Sequence, residues 1–166
     1  YSDSRDSLEF AVRAGGATEG AASTHMVITG NGKVGIGTTS PDGKLDIATS
    51  ATSNLNYIST WSITESDQSV LYLRKSGHAT IGTAAETADG EALGAIAWRG
   101  VDTGGNWETA AMIKVYQDDD AGSRVPGALT FWNTGQSSSA DESMRITSTG
   151  KVGIGTGAPG NYYGDF

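Results

Sequence analysis

A fourteen-residue segment occurs twice in the chain, and this repetition limits the fold more than any other feature. His25-Met26-Val27-Ile28-Thr29-Gly30-Asn31-Gly32-Lys33-Val34-Gly35-Ile36-Gly37-Thr38 returns without a gap as Ser143-Met144-Arg145-Ile146-Thr147-Ser148-Thr149-Gly150-Lys151-Val152-Gly153-Ile154-Gly155-Thr156, with ten of the fourteen positions identical. A worn copy lies between them. Leu71-Tyr72-Leu73 through Gly77 to Ile81-Gly82-Thr83 keeps the apolar-x-apolar start, the turn glycine and the closing Ile-Gly-Thr. An apolar stretch precedes each copy: Leu8-Glu9-Phe10, Tyr57 to Ile63, and Leu129-Thr130-Phe131-Trp132. Aligned positions in successive copies, Met26, Leu71 and Met144, lie 45 and 73 residues apart, so the chain is not a solenoid with one fixed rung.

Within each copy the period is two. Met144 and Ile146 share a face, as do Val152 and Ile154, Leu129 and Phe131, Ile96 and Trp98, and Ile113 and Val115. This alternation predicts half-buried strands, with Thr147-Ser148-Thr149-Gly150 and Thr29-Gly30-Asn31-Gly32 as the turns between them. No stretch predicts a regular helix. Ala84 to Leu93 holds helix formers, but it contains Gly90 and has no apolar stripe. Glycine inside a strand costs roughly 0.5–1 kcal/mol relative to alanine. The recurring Val-Gly-Ile-Gly therefore implies that something lies close against the face opposite Val and Ile.

Composition explains why one copy of the chain is insufficient. Leu, Ile, Val and Phe number only 28 of 166 residues, while Gly, Ser and Thr number 61. Such a chain folds in short strands and turns but builds little private core, so a partner must complete it. There is no cysteine to act as a staple. No apolar run approaches membrane-spanning length, and no secretion signal is legible. A net charge of −8 with scattered Lys and Arg argues against a nucleic-acid partner.

Gly-Lys-Val-Gly-Ile-Gly-Thr-Thr-Ser-Pro at 32–41, followed by Lys44-Leu45-Asp46-Ile47, and Met-Arg-Ile-x-x-x-Gly-Lys-Val-Gly-Ile-Gly-Thr at 144–156 resemble the repeat of bacteriophage tail fibres. Such fibres often end in a self-cleaving intramolecular chaperone domain. Leu93 to Trp98 and Arg124 to Phe131 resemble the longer module between motifs. The resemblance covers most of the chain and is least typical over 39–70. The last copy ends in Gly157-Ala158-Pro159-Gly160 in place of Thr-Ser-Pro, and no segment matches the chaperone domain, so its cleavage chemistry is not carried over. Both ends read as cut from a longer polypeptide. Similar repeats also occur in capsid fibres and bacterial surface proteins.

Other motifs have plainer readings. Gly30-Asn31-Gly32-Lys33-Val34-Gly35 spells a dinucleotide fingerprint, but a strand and not a helix is predicted to follow, which makes it a hairpin turn. Asp118-Asp119-Asp120 lacks the alternating spacing of a calcium loop and reads as a solvated turn. His25 and His78 occupy positions where the other copies place Ser143 and Lys151, so neither is read as a catalytic base. No pair of carboxylates stands out for glycan cleavage. Trp107 in its Gly-Gly-Asn loop and Tyr116 are the candidates for glycan contact, whereas Trp98 shares a face with Ile96 and is read as packing.

The expected architecture is all-β: an elongated homotrimeric fibre of short repeated β-meander units, as a β-prism or interleaved sandwich-like modules. Three parts are expected, at 1–50, 51–83 and 84–166. Val34, Ile36, Val152 and Ile154 are expected to form the trimer core. The expected role is a shaft or adhesion segment of a virion tail fibre. Its expected partners are its own copies, other fibre or baseplate proteins and a host-surface glycan or protein. No enzyme activity, cofactor or metal is expected. A carbohydrate-binding module of a capsid fibre or adhesin, and a segment of a polysaccharide depolymerase, are the alternatives.

Overall fold

The period-two alternation becomes nine strands in two sheets, with no helix among the described residues. The computed structural model describes residues 7–12, 23–50, 56–136 and 139–160. The chain divides into two compact units, Tyr1–Ser69 and Val70–Phe166.

In the first unit, β1 (Ser7–Val12), β2 (Ser23–Thr29), β3 (Val34–Ile36) and β4 (Leu45–Ile47) form one sheet in that order. The first three are antiparallel, and β4 joins β3 in parallel. The loop between β3 and β4 is held by the motif's own lysine. Lys33 Nζ donates to the carbonyls of Pro41 at 2.8 Å and Asp42 at 3.1 Å.

In the second unit, β5 (Ala92–Val101), β6 (Trp107–Gln117), β7 (Gly127–Thr134), β8 (Ala140–Ile146) and β9 (Val152–Ile154) are antiparallel, each paired with its neighbour in the chain.

The two clear copies of the motif have the same register. Leu8 faces Ile28 and Phe10 faces Met26, just as Leu129 faces Ile146 and Phe131 faces Met144. Met26 then faces Ile36 and Ile28 faces Val34, matching Met144 with Ile154 and Ile146 with Val152. A register shift follows Phe10 in one unit and Phe131 in the other. The turns also match: Thr29 N–H donates to the Lys33 carbonyl at 2.9 Å and Thr147 N–H to the Lys151 carbonyl at 2.9 Å. Both turn glycines, Gly32 and Gly150, have positive φ.

The intrastrand glycines behave as their energetic cost requires. A Cβ on Gly35 would collide with the Thr38 carbonyl, and one on Gly153 would lie 2.5 Å from the Thr156 carbonyl. The chain turns back through Gly37 (φ 74°) and Gly155 (φ 68°), placing that threonine over the strand. Gly-Ile-Gly-Thr is thus one device: a bare backbone, an apolar side chain, a left-handed residue and the threonine that covers the bare backbone.

The worn copy departs from expectation. No strand forms between Asn56 and Glu91. Gly82 keeps the positive φ of Gly37 and Gly155, but Thr80 stands where Gly35 and Gly153 stand. Its Cβ would occupy the place that the returning threonine carbonyl takes in the other copies. The segment instead closes a different loop, with Gly77 N–H on the Ala85 carbonyl and Ser76 Oγ donating to the Thr83 carbonyl at 2.9 Å.

Burial is inverted relative to an ordinary domain. The largest fully buried side chains are Gln117, Val27 and Thr130, whereas Ile154 is 78% exposed. Gln117 is secured at both ends of its amide. Its Oε1 accepts from Thr87 Oγ1 at 2.5 Å, and its Nε2 donates to the carbonyls of Thr87 and Asp119 at 2.9 Å each.

Candidate functional surfaces

Cross-strand partners point to the same side of a sheet, so the registers list each face directly. In the first unit, one row is Leu8, Ile28, Val34 and Leu45, and the next is Phe10, Met26, Ile36 and Ile47. Every side chain in these two rows is apolar. The opposite row is Glu9, Val27, Gly35 and Asp46, with Val27 buried beneath the returning loop. The second unit repeats the pattern over five strands. Ile96, Ile113, Phe131, Met144 and Ile154 make one row, and Gly94, Val115, Leu129, Ile146 and Val152 make another.

These apolar faces are largely uncovered. Leu8, Phe10, Leu45, Ile96 and Val152 are each half-exposed or more. The Gly94 end of the second unit's face has a cover, where the Leu73 side chain approaches 3.1 Å from the point at which a Gly94 Cβ would lie. Val34, Ile36, Val152 and Ile154 all lie on these faces, at equivalent positions of the two units.

The other side of the five-stranded sheet carries a network of partnered polar groups among small and apolar ones. Lys114 lies between two rings, its Nζ 4.4 Å from the Tyr116 centroid and 5.5 Å from that of Trp132, and it donates to Tyr116 Oη at 2.6 Å. Trp132 Nε1 donates to Thr130 Oγ1 at 2.8 Å, and that hydroxyl donates to the Lys114 carbonyl at 2.9 Å. Arg145 is held by Glu142 through two bonds of 2.8 and 2.9 Å, with Asp118 3.7 Å away. The Glu142 carboxylate bonded to it pushes the Arg145 guanidinium pKa further up. The cation on the Tyr116 ring was not legible in the sequence beyond the i, i+2 spacing of Lys114 and Tyr116.

The remaining sequence candidates are dispersed. Trp107 is 58% exposed at the start of β6, and its carbonyl accepts from Arg99 at 2.6 Å. It lies nine residues from Tyr116 on the same strand, about 30 Å at strand rise, so the two do not form one site. In the β5–β6 hairpin loop, the Asp102 carboxylate accepts from the backbone N–H of Asn106 at 2.7 Å and from its side-chain amide at 3.1 Å. The Asn106 backbone bond is the main cause holding the Asp102 carboxyl below its ordinary range.

Asp118 accepts from Ser148 N–H at 2.8 Å, tying two turns together, while Asp119 and Asp120 are exposed. No group of three or more His, Cys, Asp or Glu converges among the described residues. Gly30 to Gly35 forms the β2–β3 turn and the strand after it. His25 is exposed, and His78 Nδ1 accepts from Thr80 N–H. No helix among the described residues is long and apolar enough to cross a membrane.

The chain is thus an all-β protein of two sheets, each bare on one apolar face and finished on the other. Its fold is similar to the carboxy-terminal domain of the bacteriophage T5 L-shaped tail fibre, with a TM-score of 0.47 and 13% identity. That likeness covers 61% of this chain and 36% of the fibre chain. No family model matches the chain, and no curated protein matches it.

Proposed function

We propose that this chain is a section of the shaft of a homotrimeric viral fibre, a tail fibre of a phage, whose role is mechanical and adhesive. The observation that carries this reading is the pair of apolar rows, largely exposed, repeated in register in both units. Exposed apolar faces of this extent mark association surfaces. Each Val, Leu, Ile or Phe fully buried contributes ~1.5–3 kcal/mol.

Three copies rather than two follow from the resemblance of the repeat to tail fibres. In that arrangement Val34, Ile36, Val152 and Ile154 point to the axis, and the Lys114–Tyr116–Trp132 side faces solvent. A stiff, solvated rod of such units carries a host-recognition element away from the virion, beside other fibre or baseplate proteins. A host-surface glycan or protein is its target.

Sedimentation equilibrium tests the reading. The expected mass is three times that of the chain. A stable, folded monomer at micromolar concentration sinks it, and a dimer replaces the trimer with a two-sheet sandwich.

A further inference from the structure

We propose that Asn31 and Gly32, at the tip of the β2–β3 hairpin, form a site of spontaneous self-modification. The Gly32 nitrogen displaces the Asn31 side-chain amide as ammonia, and water opens the succinimide that results. The proposal is independent of the assembly reading, because it uses one hairpin of the first unit alone.

Asn31 is the single asparagine of the chain that a glycine follows; at 54, 56, 106, 133 and 161 the next residue carries a side chain. Ring closure brings the following residue's nitrogen onto the Asn31 Cγ, and a glycine leaves that approach sterically open. Both residues are exposed, so water reaches them.

The hairpin supplies two groups that favour the step. Thr29 Oγ1 donates to Asn31 Oδ1 at 2.6 Å. That oxygen takes up negative charge when the nitrogen adds to Cγ, so the hydroxyl stabilises charge where it develops. Lys44 Nζ donates to the Asn31 backbone carbonyl at 3.3 Å. This carbonyl belongs to the same peptide unit as the Gly32 nitrogen. An ammonium on its oxygen stabilises the anion formed when that nitrogen loses its proton. Lys44 Nζ also lies 3.7 Å from the point where a Cβ on Gly32 would stand, which places the cation beside the attacking residue.

The Gly32 N–H first gives its proton to solvent. A bond forms from this nitrogen to the Asn31 Cγ, the bond from Cγ to the side-chain nitrogen breaks, and that nitrogen takes a proton and leaves as ammonia. Water then adds to the ring. Attack at Cγ gives an aspartate. Attack at the former backbone carbonyl gives an isoaspartate, whose main chain is longer by one methylene. Either product adds a negative charge, and the longer one no longer fits the closure of Thr29 N–H on the Lys33 carbonyl at 2.9 Å.

The turn itself does not require the amide. Thr149 takes the place of Asn31 in the last copy, where Gly150 N–H still donates to the Thr147 carbonyl at 2.9 Å. Gly32 N–H makes the same bond to the Thr29 carbonyl at 2.9 Å, so the nitrogen attacks when this end of the hairpin opens.

The test incubates the folded chain at mildly alkaline pH and follows the exchange of amide for carboxyl by peptide mass mapping. Asn31 should convert at least about tenfold faster than Asn106 and Asn133, a barrier lower by about 1.4 kcal/mol. Lys44→Gln should slow the conversion by roughly threefold to tenfold, and Lys44→Arg, which keeps the cation, should restore it. Equal rates at the three asparagines, or fast conversion of Asn31 only after unfolding in urea, overturn the proposal. An unchanged or faster rate in Lys44→Gln overturns the part assigned to the lysine.

Discussion

The carbonyl of Thr156 stands 2.5 Å from the point where a Cβ on Gly153 would lie, so the glycine is required by a neighbour three residues away in its own chain. Any side chain there must push the returning loop off the strand. Gly153→Ala should therefore cost about 1–3 kcal/mol, the range for forced overpacking, and Gly35→Ala should cost a similar amount. Gly100 lies in β5 with nothing within 4 Å of its Cβ position. Gly100→Ala should be neutral or stabilising by roughly 0.5–1 kcal/mol, since it removes the glycine's entropic cost without a clash. Denaturant midpoints of the three variants make the comparison. Equal effects at 100 and 153 would show that the glycines serve only chain flexibility.

Gln117 replaces an apolar core at the heart of the second unit. Gln117→Leu keeps similar volume but leaves the Thr87 hydroxyl and carbonyl without their amide. The expected loss is about 1–3 kcal/mol, the cost of a buried polar group left unpaired. Thermal unfolding of the variant checks it, and a stabilised protein would contradict this account of the polar knot.

Ile154→Asp separates fold from assembly. Ile154 is 78% exposed in the single chain, so the strand should tolerate the change. A carboxylate on a face that must desolvate should abolish association. Sedimentation should show folded monomers, and normal trimers would show that this side of β9 does not face the axis.

Asp102 gives a pH dependence of known sign. Its carboxyl is held below the ordinary range by the Asn106 backbone N–H and then the Asn106 side chain. A depressed carboxyl contributes stability that is fully present above its unfolded value, near 3.9, and is lost as pH falls through the lower folded value. Acidification below pH 4 should therefore loosen the hairpin loop at Asp102–Asn106 first. Amide resonances of Gly105 and Asn106 followed by NMR read this directly, and Asp102→Ala should remove the transition.

The strands, their alternation and the three-strand repeat were legible in the sequence because period two and turn glycines are local properties. Even the need for something close to Gly35 and Gly153 followed from the cost of glycine in a strand. The covering group itself was not legible as a contact, although its source, the threonine of Gly-Ile-Gly-Thr, recurs in every copy. The worn copy departs from the strand pattern for a related reason. Thr80 preserves the β pattern, and only the observed carbonyl position shows that a β-branched residue there excludes the hairpin.

Sequence alone determined which side chains share a face, since alternation sets this once a strand forms, and it determined that apolar residues are too few for a private core. The tertiary structure decided which of them stay bare. Returning loops and the Gln117 and Thr130 networks finish one side of the sheets, and on the apolar side Leu8, Phe10, Leu45, Ile96, Val152 and Ile154 stay half-exposed or more among the described residues. The physical reason is that a cover comes from chain distant in sequence, or from another copy, and pattern within a strand carries no information about either.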